Sequence, residues 1–283
     1  MYIKNHFKPY FNKMKVNQVT NMHIQEYISI KLKTLSSTTV RKHFFTLSKL
    51  FHDALRIKSP CIDIKAPKNE EFKPIIPTEK EFNTIYQTFK EISPEDEVII
   101  LLAGWCGLRR GEIFALEWND IDEINGTIKI DQALALEEEG YNFELKDPKS
   151  HNGIRTIATP DHLIKLIMSL KNTTINLKRF KKNKTLKTDQ KKNKSDLKHF
   201  IFQQDPHSFT KKYCRIIKGG NLPHIRFHDL RHYHASLLYK NEVPDQYAAE
   251  RLGHDVWVLK KTYQHLGLEE TKELDEKVKN MFK

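Results

Sequence analysis

Four prolines fall between Ser59 and Pro77, at positions 60, 67, 74 and 77. Each fixes φ, removes a backbone donor and disfavours helix in the residue before it, so neither a helix nor a central strand can run through this stretch. The chain is therefore expected to fold as two blocks joined by an interdomain linker, with domains at 1–73 and 74–283. At 283 residues, 39% hydrophobic and 30% charged, it can bury a core in each. No apolar run approaches the roughly 18 residues of a membrane helix. The N-terminal MYIKNHFKPYF lacks the small-residue cleavage site of a secretory leader, so the expected compartment is the cytoplasm, with no membrane partner. Cys61, Cys106 and Cys214 are odd in number and form no C-x-x-C pair, which argues against a disulfide framework or a thiolate zinc site; they read as buried small side chains.

The net charge of +12 is unevenly placed. Residues 1–73 carry 14 Lys and Arg against 5 Asp and Glu, and residues 171–199 carry 11 against 2, whereas residues 74–170 carry 9 against 18. Basic blocks of this kind suit a polyphosphate partner, because each neutralised phosphate releases condensed counterions. A solvated, solubilising surface is the competing explanation.

In the first block, residues 36–56 place Val40, Phe44, Leu47, Phe51 and Leu55 at helical spacing, with Arg41, Lys42 and Lys49 on the other sides as a basic flank, candidate contacts for such a polyphosphate. A shorter helix is predicted over 21–33. The second block opens on a capping box, Thr78-Glu-Lys-Glu81, and repeats the signal at Ser93-Pro94 before the apolar EVIILLAGWCG. Between 127 and 159 the pattern changes to GTIKIDQAL, YNFELK and IRTIAT, short strands of a small antiparallel sheet. Residues 171–199 read as a mobile basic loop, and helical spacing then returns to the end. The expected fold is thus mainly α with a small antiparallel β-sheet.

Four histidines, at 224, 228, 232 and 234, lie in or beside RFHDLRHYH. His228-Asp-Leu-Arg-His232 has the spacing of a helical zinc site. Arg231, three residues after His228, lies on the face a metal would occupy, and a fixed guanidinium beside a divalent cation is unfavourable. His228 with Arg231 suits a phosphate better, and no metal is expected.

Taken with GLRRGEI around Arg109 and Glu112, Lys149 in DPKSHNG, Leu252-Gly253-His254, and Tyr263 nine residues further on, H-x-x-R completes an ordered set. Its order and spacing resemble the tyrosine recombinases, the integrases of phages and mobile elements. The resemblance covers 78–283 and, more loosely, the helical block before it. It implies a core DNA-binding domain, a catalytic domain, and DNA cleavage through a 3′-phosphotyrosyl intermediate with no cofactor. By that resemblance Tyr263 is the nucleophile, and Arg109 and Arg231 hold the scissile phosphate. Lys149 then protonates the leaving 5′-oxygen, His228 assists proton transfer, His254 donates to the phosphate, and Glu112 orients the cluster. The chemistry is coherent: a tyrosine hydroxyl is only about one part in a thousand ionised at neutral pH, so its attack needs forked cationic donors around the phosphate.

Bland roles compete at several positions. Arg109 and Arg110 could each pair with Glu112 or Glu117, Lys146 competes with Lys149, and Tyr239 and Tyr247 compete with Tyr263. His254 could be a helix-terminal cap, and His224, His232 and His234 read as packing or DNA contacts.

The implied partners are double-stranded DNA and, through the segment after Tyr263, three further copies in a tetramer on two duplexes, with DNA-bending accessory proteins a further expectation. The domain before the linker normally begins with another helix in this family, whereas Met1 starts close to HFKPYFNKMKVNQVT, so that domain is expected to be N-terminally incomplete. Two other functions fit the motifs: a type IB topoisomerase-like enzyme, and a cleavage-silent DNA-binding relative acting as a regulator. The full Arg, Lys, His, Arg, His, Tyr set weighs against the last.

Overall fold

The computed structural model describes residues 2–55, 59–70, 75–136, 143–146, 153–171, 199–202, 204–220 and 222–263, with the backbone alone at Leu136 and 261–263. Lys149, the basic block 172–198 and the segment 264–283 lie outside the described residues. Met1–Lys73 and Pro74–Lys283 form two compact units.

The first unit is helical. A π-helical turn, Ile3–Phe7, runs into α1 (Lys8–Phe11), followed by α2 (Asn21–Leu32) and α3 (Ser37–Leu55). The helical spacing of α3 turns Val40, Phe44, Leu47 and Phe51 inward, and Phe44, Leu47 and Phe51 share a core with Phe7, Ile24 and Tyr27. The helix over residues 3–11 had no counterpart in the sequence reading, because its one buried anchor, Phe7, sits among lysines and a proline that carry no clear helical period.

The stretch read as linker is also partly folded. Cys61 is buried in the first unit's core with Ile64 and Ala66 packed against it. The Ser37 hydroxyl donates to the carbonyl of Lys68, and Arg41 Nη1 donates to that of Pro67 at 2.7 Å. Prolines break helices and strands, but they do not stop apolar neighbours from entering a nearby core.

The second unit starts with α4 (Glu79–Ile92), whose N-terminus is closed by Thr78 and Glu81 in a reciprocal capping box. In α5 (Pro94–Trp105) Ser93 caps the helix and Pro94 occupies the first turn. Residues Val98 to Ala103 are all buried, so α5 is the central helix and has no polar face to show.

After α6 (Arg110–Ala115) come the strands β1 (Ile121–Asp122), β2 (Thr127–Ile130), β3 (Ala133–Leu136), β4 (Phe143–Lys146) and β5 (Arg155–Ala158). They form two antiparallel sheets, β1-β2-β5 and β3-β4, with Ile128 opposite Ile157 and Leu134 opposite Leu145. Among the described residues the helices α7 (Asp161–Leu170), α8 (Pro206–Gly219), α9 (Asp229–Lys240), α10 (Asp245–Leu252) and α11 (Val256–Tyr263) follow. The fold is mainly helical with small antiparallel sheets, as the sequence predicts. One cysteine departs from expectation: Cys61 and Cys106 are buried, but Cys214 is exposed on α8.

Candidate active site

The centre of the site is a carboxylate, Glu112, with 7% of its side chain exposed. It lies in the first turn of α6, within reach of the α6 N-cap residue Arg109. The Arg109 backbone N–H donates to Glu112 Oε2 at 2.8 Å and its Nη1 donates to Oε1 at 2.7 Å. Arg155, the first residue of β5, donates to the same carboxylate from Nη2 at 2.8 Å and from Nη1 at 3.2 Å. Arg231 Nη1 stands 3.9 Å from Oε2. Burial alone would raise the Glu112 pKa, but hydrogen bonds and charge from Arg155, then Arg231 and Arg109, outweigh it and hold the carboxylate at about 2. Glu112 is therefore ionised at any working pH and organises three guanidiniums.

The ends of α9 and α10 supply the second half. Gly107 takes a φ of +66°, and a Cβ there would come within 2.6 Å of the His234 ring. This turn points its carbonyl at Arg231, whose Nη1 donates to it at 2.5 Å. Helix α10 ends at Gly253, φ +60°, whose left-handed conformation reverses the chain; its N–H bonds Glu250 and the next N–H, of His254, bonds the carbonyl of Ala249. That reversal is the physical content of Leu-Gly-His, because it brings His254 back beside Arg231, with His254 Nε2 at 3.0 Å from Arg231 Nη2. Arg231 Nη2 also donates to the carbonyl of Leu252.

Exposure separates the two arginines predicted to bind phosphate. Arg109 has 36% of its side chain exposed and Arg231 has 2%. Arg110, the sequence competitor of Arg109, turns away and donates to the Thr210 hydroxyl at 2.8 Å.

The histidines divide as well. His228, at the start of α9, is exposed, and its ring meets His232 edge-on with centroids 5.2 Å apart. Desolvation on its inner side and the Arg231 guanidinium lower its pKa. His232 and His234 are buried, and burial is the largest cause of their depression, to about 4 and about 3. His234 Nε2 accepts from Arg251 Nε at 3.1 Å, so it is scaffold behind the site, while His224 is exposed. Desolvation, then Arg231, Arg109 and Arg155, push His254 down to about 3.

The pattern brings Arg109, Glu112, Arg231, His228 and His254 together. Tyr263 is the last residue of α11, the helix that follows His254, and nothing of its side chain is described. Tyr239 is half-buried on α9, and Tyr247 is 51% exposed on α10. Lys149 is outside the described residues. Sequence reading missed Arg155. Its signal was faint: one arginine in the strand IRTIAT, at a position that alternation alone cannot assign to solvent or interior.

The chain matches the model of the phage integrase family over residues 77–270, and that of the phage integrase N-terminal SAM-like domain over residues 1–32. It is 28% identical to the ICEBs1 integrase of Bacillus subtilis, covering 99% of this chain and 76% of that one. It is 27% identical to a XerC-like tyrosine recombinase of Caldanaerobacter subterraneus, covering 89% and 69%. Among solved structures, its fold is similar to the Tn1549 transposon integrase in complex with a circular intermediate DNA, with TM-score 0.71 and 17% identity over 93% of this chain and 86% of that one. It is also similar to a lambda integrase tetramer bound to a Holliday junction, with TM-score 0.55 and 18% identity over 85% and 63%.

Proposed function

The chain belongs to the phage integrase family of tyrosine recombinases, and from that premise we propose that it is a site-specific recombinase that integrates or excises a mobile element by cleaving and rejoining DNA. The observation that carries the reading is the set of guanidiniums assembled around Glu112, with Arg109 the most open of them and Arg231 locked behind it. A cluster of cations held by one carboxylate keeps a net positive field, the requirement for a phosphodiester whose charge grows in the transition state.

In this mechanism the Tyr263 hydroxyl oxygen attacks phosphorus, the phosphorus–5′-oxygen bond breaks, and a 3′-phosphotyrosyl link forms. His228, exposed and uncharged near neutral pH, accepts the tyrosine proton, while Lys149 gives one to the leaving 5′-oxygen. Arg109 and Arg231 hold the non-bridging oxygens, His254, fixed beside Arg231, donates to the phosphate, and Glu112 orients the cluster. Attack by a free 5′-hydroxyl reverses the steps, so bond energy is conserved and no cofactor enters.

Double-stranded DNA is the partner, gripped by the basic first unit through Arg41, Lys42 and Lys49 as well as by the site. The lambda integrase tetramer on a Holliday junction supports a tetramer on two duplexes, assembled through the segment after Tyr263, with DNA-bending proteins aiding assembly. The place of work is the nucleoid in the cytoplasm.

The test is a nicked suicide duplex, taken from sites selected by binding to the chain and incubated in EDTA with wild type and Tyr263→Phe. A covalent 3′-DNA adduct is expected with wild type only; an adduct with the variant moves the nucleophile elsewhere. Strand exchange between two sites, as opposed to relaxation of any supercoiled plasmid, separates a recombinase from a topoisomerase-like enzyme. Synapsis that survives deletion of residues 268–283 would remove the C-terminal segment from assembly.

A further inference from the structure

We infer that Arg155 is a positioning residue for the cleavage reaction, bridging Glu112 to the last turn of α10 and so setting where Arg109, Arg231 and His254 stand. The inference rests on the recombinase reading above and adds to it a residue outside the set of catalytic motifs.

The Arg155 side chain is 6% exposed, too deep to meet DNA, and its guanidinium joins three segments. Nη2 and Nη1 hold both oxygens of Glu112, Nη1 also donates to the carbonyl of Gly153 at 3.1 Å, and Nε donates to the carbonyl of Arg251 at 2.7 Å. Arg251 returns the contact, donating from Nη1 to the carbonyl of Ala158 at the far end of β5 at 2.9 Å. One strand thus grips the end of α10 at two points.

The end of α10 presents three successive carbonyls, and a different arginine takes each. Arg155 binds that of Arg251, Arg231 that of Leu252, and Arg109 that of Gly253 at 2.8 Å. Two of these arginines are the proposed phosphate ligands, and the third is Arg155. The same three meet again at Glu112, but unequally: Arg155 and Arg109 are in contact, and Arg231 is held off at 3.9 Å. Without Arg155 the buried carboxylate, still held by Arg109 through Oε1, would turn Oε2 to the next cation in reach, Arg231, and draw it from His254. Lysine cannot substitute, because one ammonium cannot span a carboxylate and a carbonyl on another helix as a planar fork does.

The test uses the full chain with Arg155→Met and Arg155→Lys. The first readout needs no activity: in a Tyr263→Phe background, the His254 ring is titrated by NMR. The charged and titratable groups facing it are Arg109 at the α6 N-terminus, Arg155 on β5, and Arg231 and His228 on α9. Arg155→Met is expected to raise its apparent pKa by about 1 unit, since a cation leaves and the ring loosens, while Arg155→Lys moves it less. The second readout is single-turnover adduct formation on the nicked duplex, expected to fall about a hundredfold in both variants, with DNA affinity within about threefold of wild type. Adduct formation near the wild-type rate in Arg155→Lys, or a rate loss matched by an equal loss of DNA affinity, overturns the proposal. If Arg155→Met fails to fold, Arg155→Lys decides. If wild type forms no adduct at Tyr263, the recombinase reading fails and the His254 titration alone decides whether Arg155 positions the cluster.

Discussion

Arg231 Nη2 and His254 Nε2 lie 3.0 Å apart, and since a guanidinium only donates, the imidazole accepts and carries its own proton on Nδ1. His254 is therefore neutral in the DNA-free protein, and its Nδ1 has no hydrogen-bond partner among the described residues. Desolvation first, and the guanidinium charge with it, keep the ring unprotonated, and an anion arriving at the cluster offsets the second of these. Occupation of the site by a phosphodiester is expected to raise the His254 pKa, a shift that NMR titration with and without duplex DNA measures.

Three histidines make the fold acid-sensitive above the range where carboxylates titrate. His232, His234 and His254 fall from 6.5 to about 4, about 3 and about 3 on folding. Between those values and 6.5 the unfolded chain binds protons that the native chain does not, so stability rises with pH across that window and declines as pH drops below about 6.5. Each group contributes up to about 1.4 kcal/mol per pH unit. Glu112, lowered from 4.5 to about 2, acts in the same direction below pH 4.5. Urea unfolding at about pH 7.5 and about pH 5.5 checks this, and equal stabilities would count against it.

Arg231→Lys retains the charge and loses the fork. One ammonium cannot serve the carbonyls of both Gly107 and Leu252, which are buried with it. Unfolding free energy is expected to drop by about 2–4 kcal/mol, and adduct formation by about 10²–10³. Denaturation and single-turnover cleavage read the two effects separately.

Gly107→Ala adds a Cβ at φ +66°, 2.6 Å from His234 Cδ2 and 2.8 Å from Leu252 Cδ2. Left-handed strain and overpacking together cost about 2–5 kcal/mol. Gly219→Ala is the control, because a Cβ there meets nothing within 4 Å; it is expected to stay within about 0.5 kcal/mol of wild type.

In the first unit, Lys42 and Lys49 are exposed, whereas Arg41 is tied to the Pro67 carbonyl and lies over the Phe45 ring at 4.9 Å. Lys42→Ala and Lys49→Ala are each expected to lower the slope of log affinity against log salt by about 1. Arg41→Ala should cost stability too. Anisotropy titrations over a salt series decide; an unchanged slope removes that lysine from the DNA contacts.

Much of this was legible in the sequence, for local reasons. Thr78, Glu81, Ser93 and Pro94 announce helix starts because capping chemistry is short-range, and α5 reads as central because its apolar run has no polar interruption. The pairing of Arg109 with Glu112 is an i, i+3 contact that spacing suggests. Arg155 was not legible, since its partners are 43 and 96 positions away in the chain and only the tertiary fold brings them together. The choice of Arg109 over Arg110 rests on the family motif; in the structure Arg110 donates to Thr210 on α8, whereas Arg109 joins Glu112. The prolines marked a break between units but hid the return of Cys61 to the first core.

A helix that ends in a glycine reversal usually leaves its last carbonyls to water. At the end of α10 those carbonyls belong to arginines from α6, β5 and α9. Fraying of the helix and dispersal of the guanidiniums are therefore one opening event, not two. The site inherits the local unfolding free energy of α10, and whatever protects those amides from exchange with solvent also keeps the cation cluster assembled between encounters with DNA.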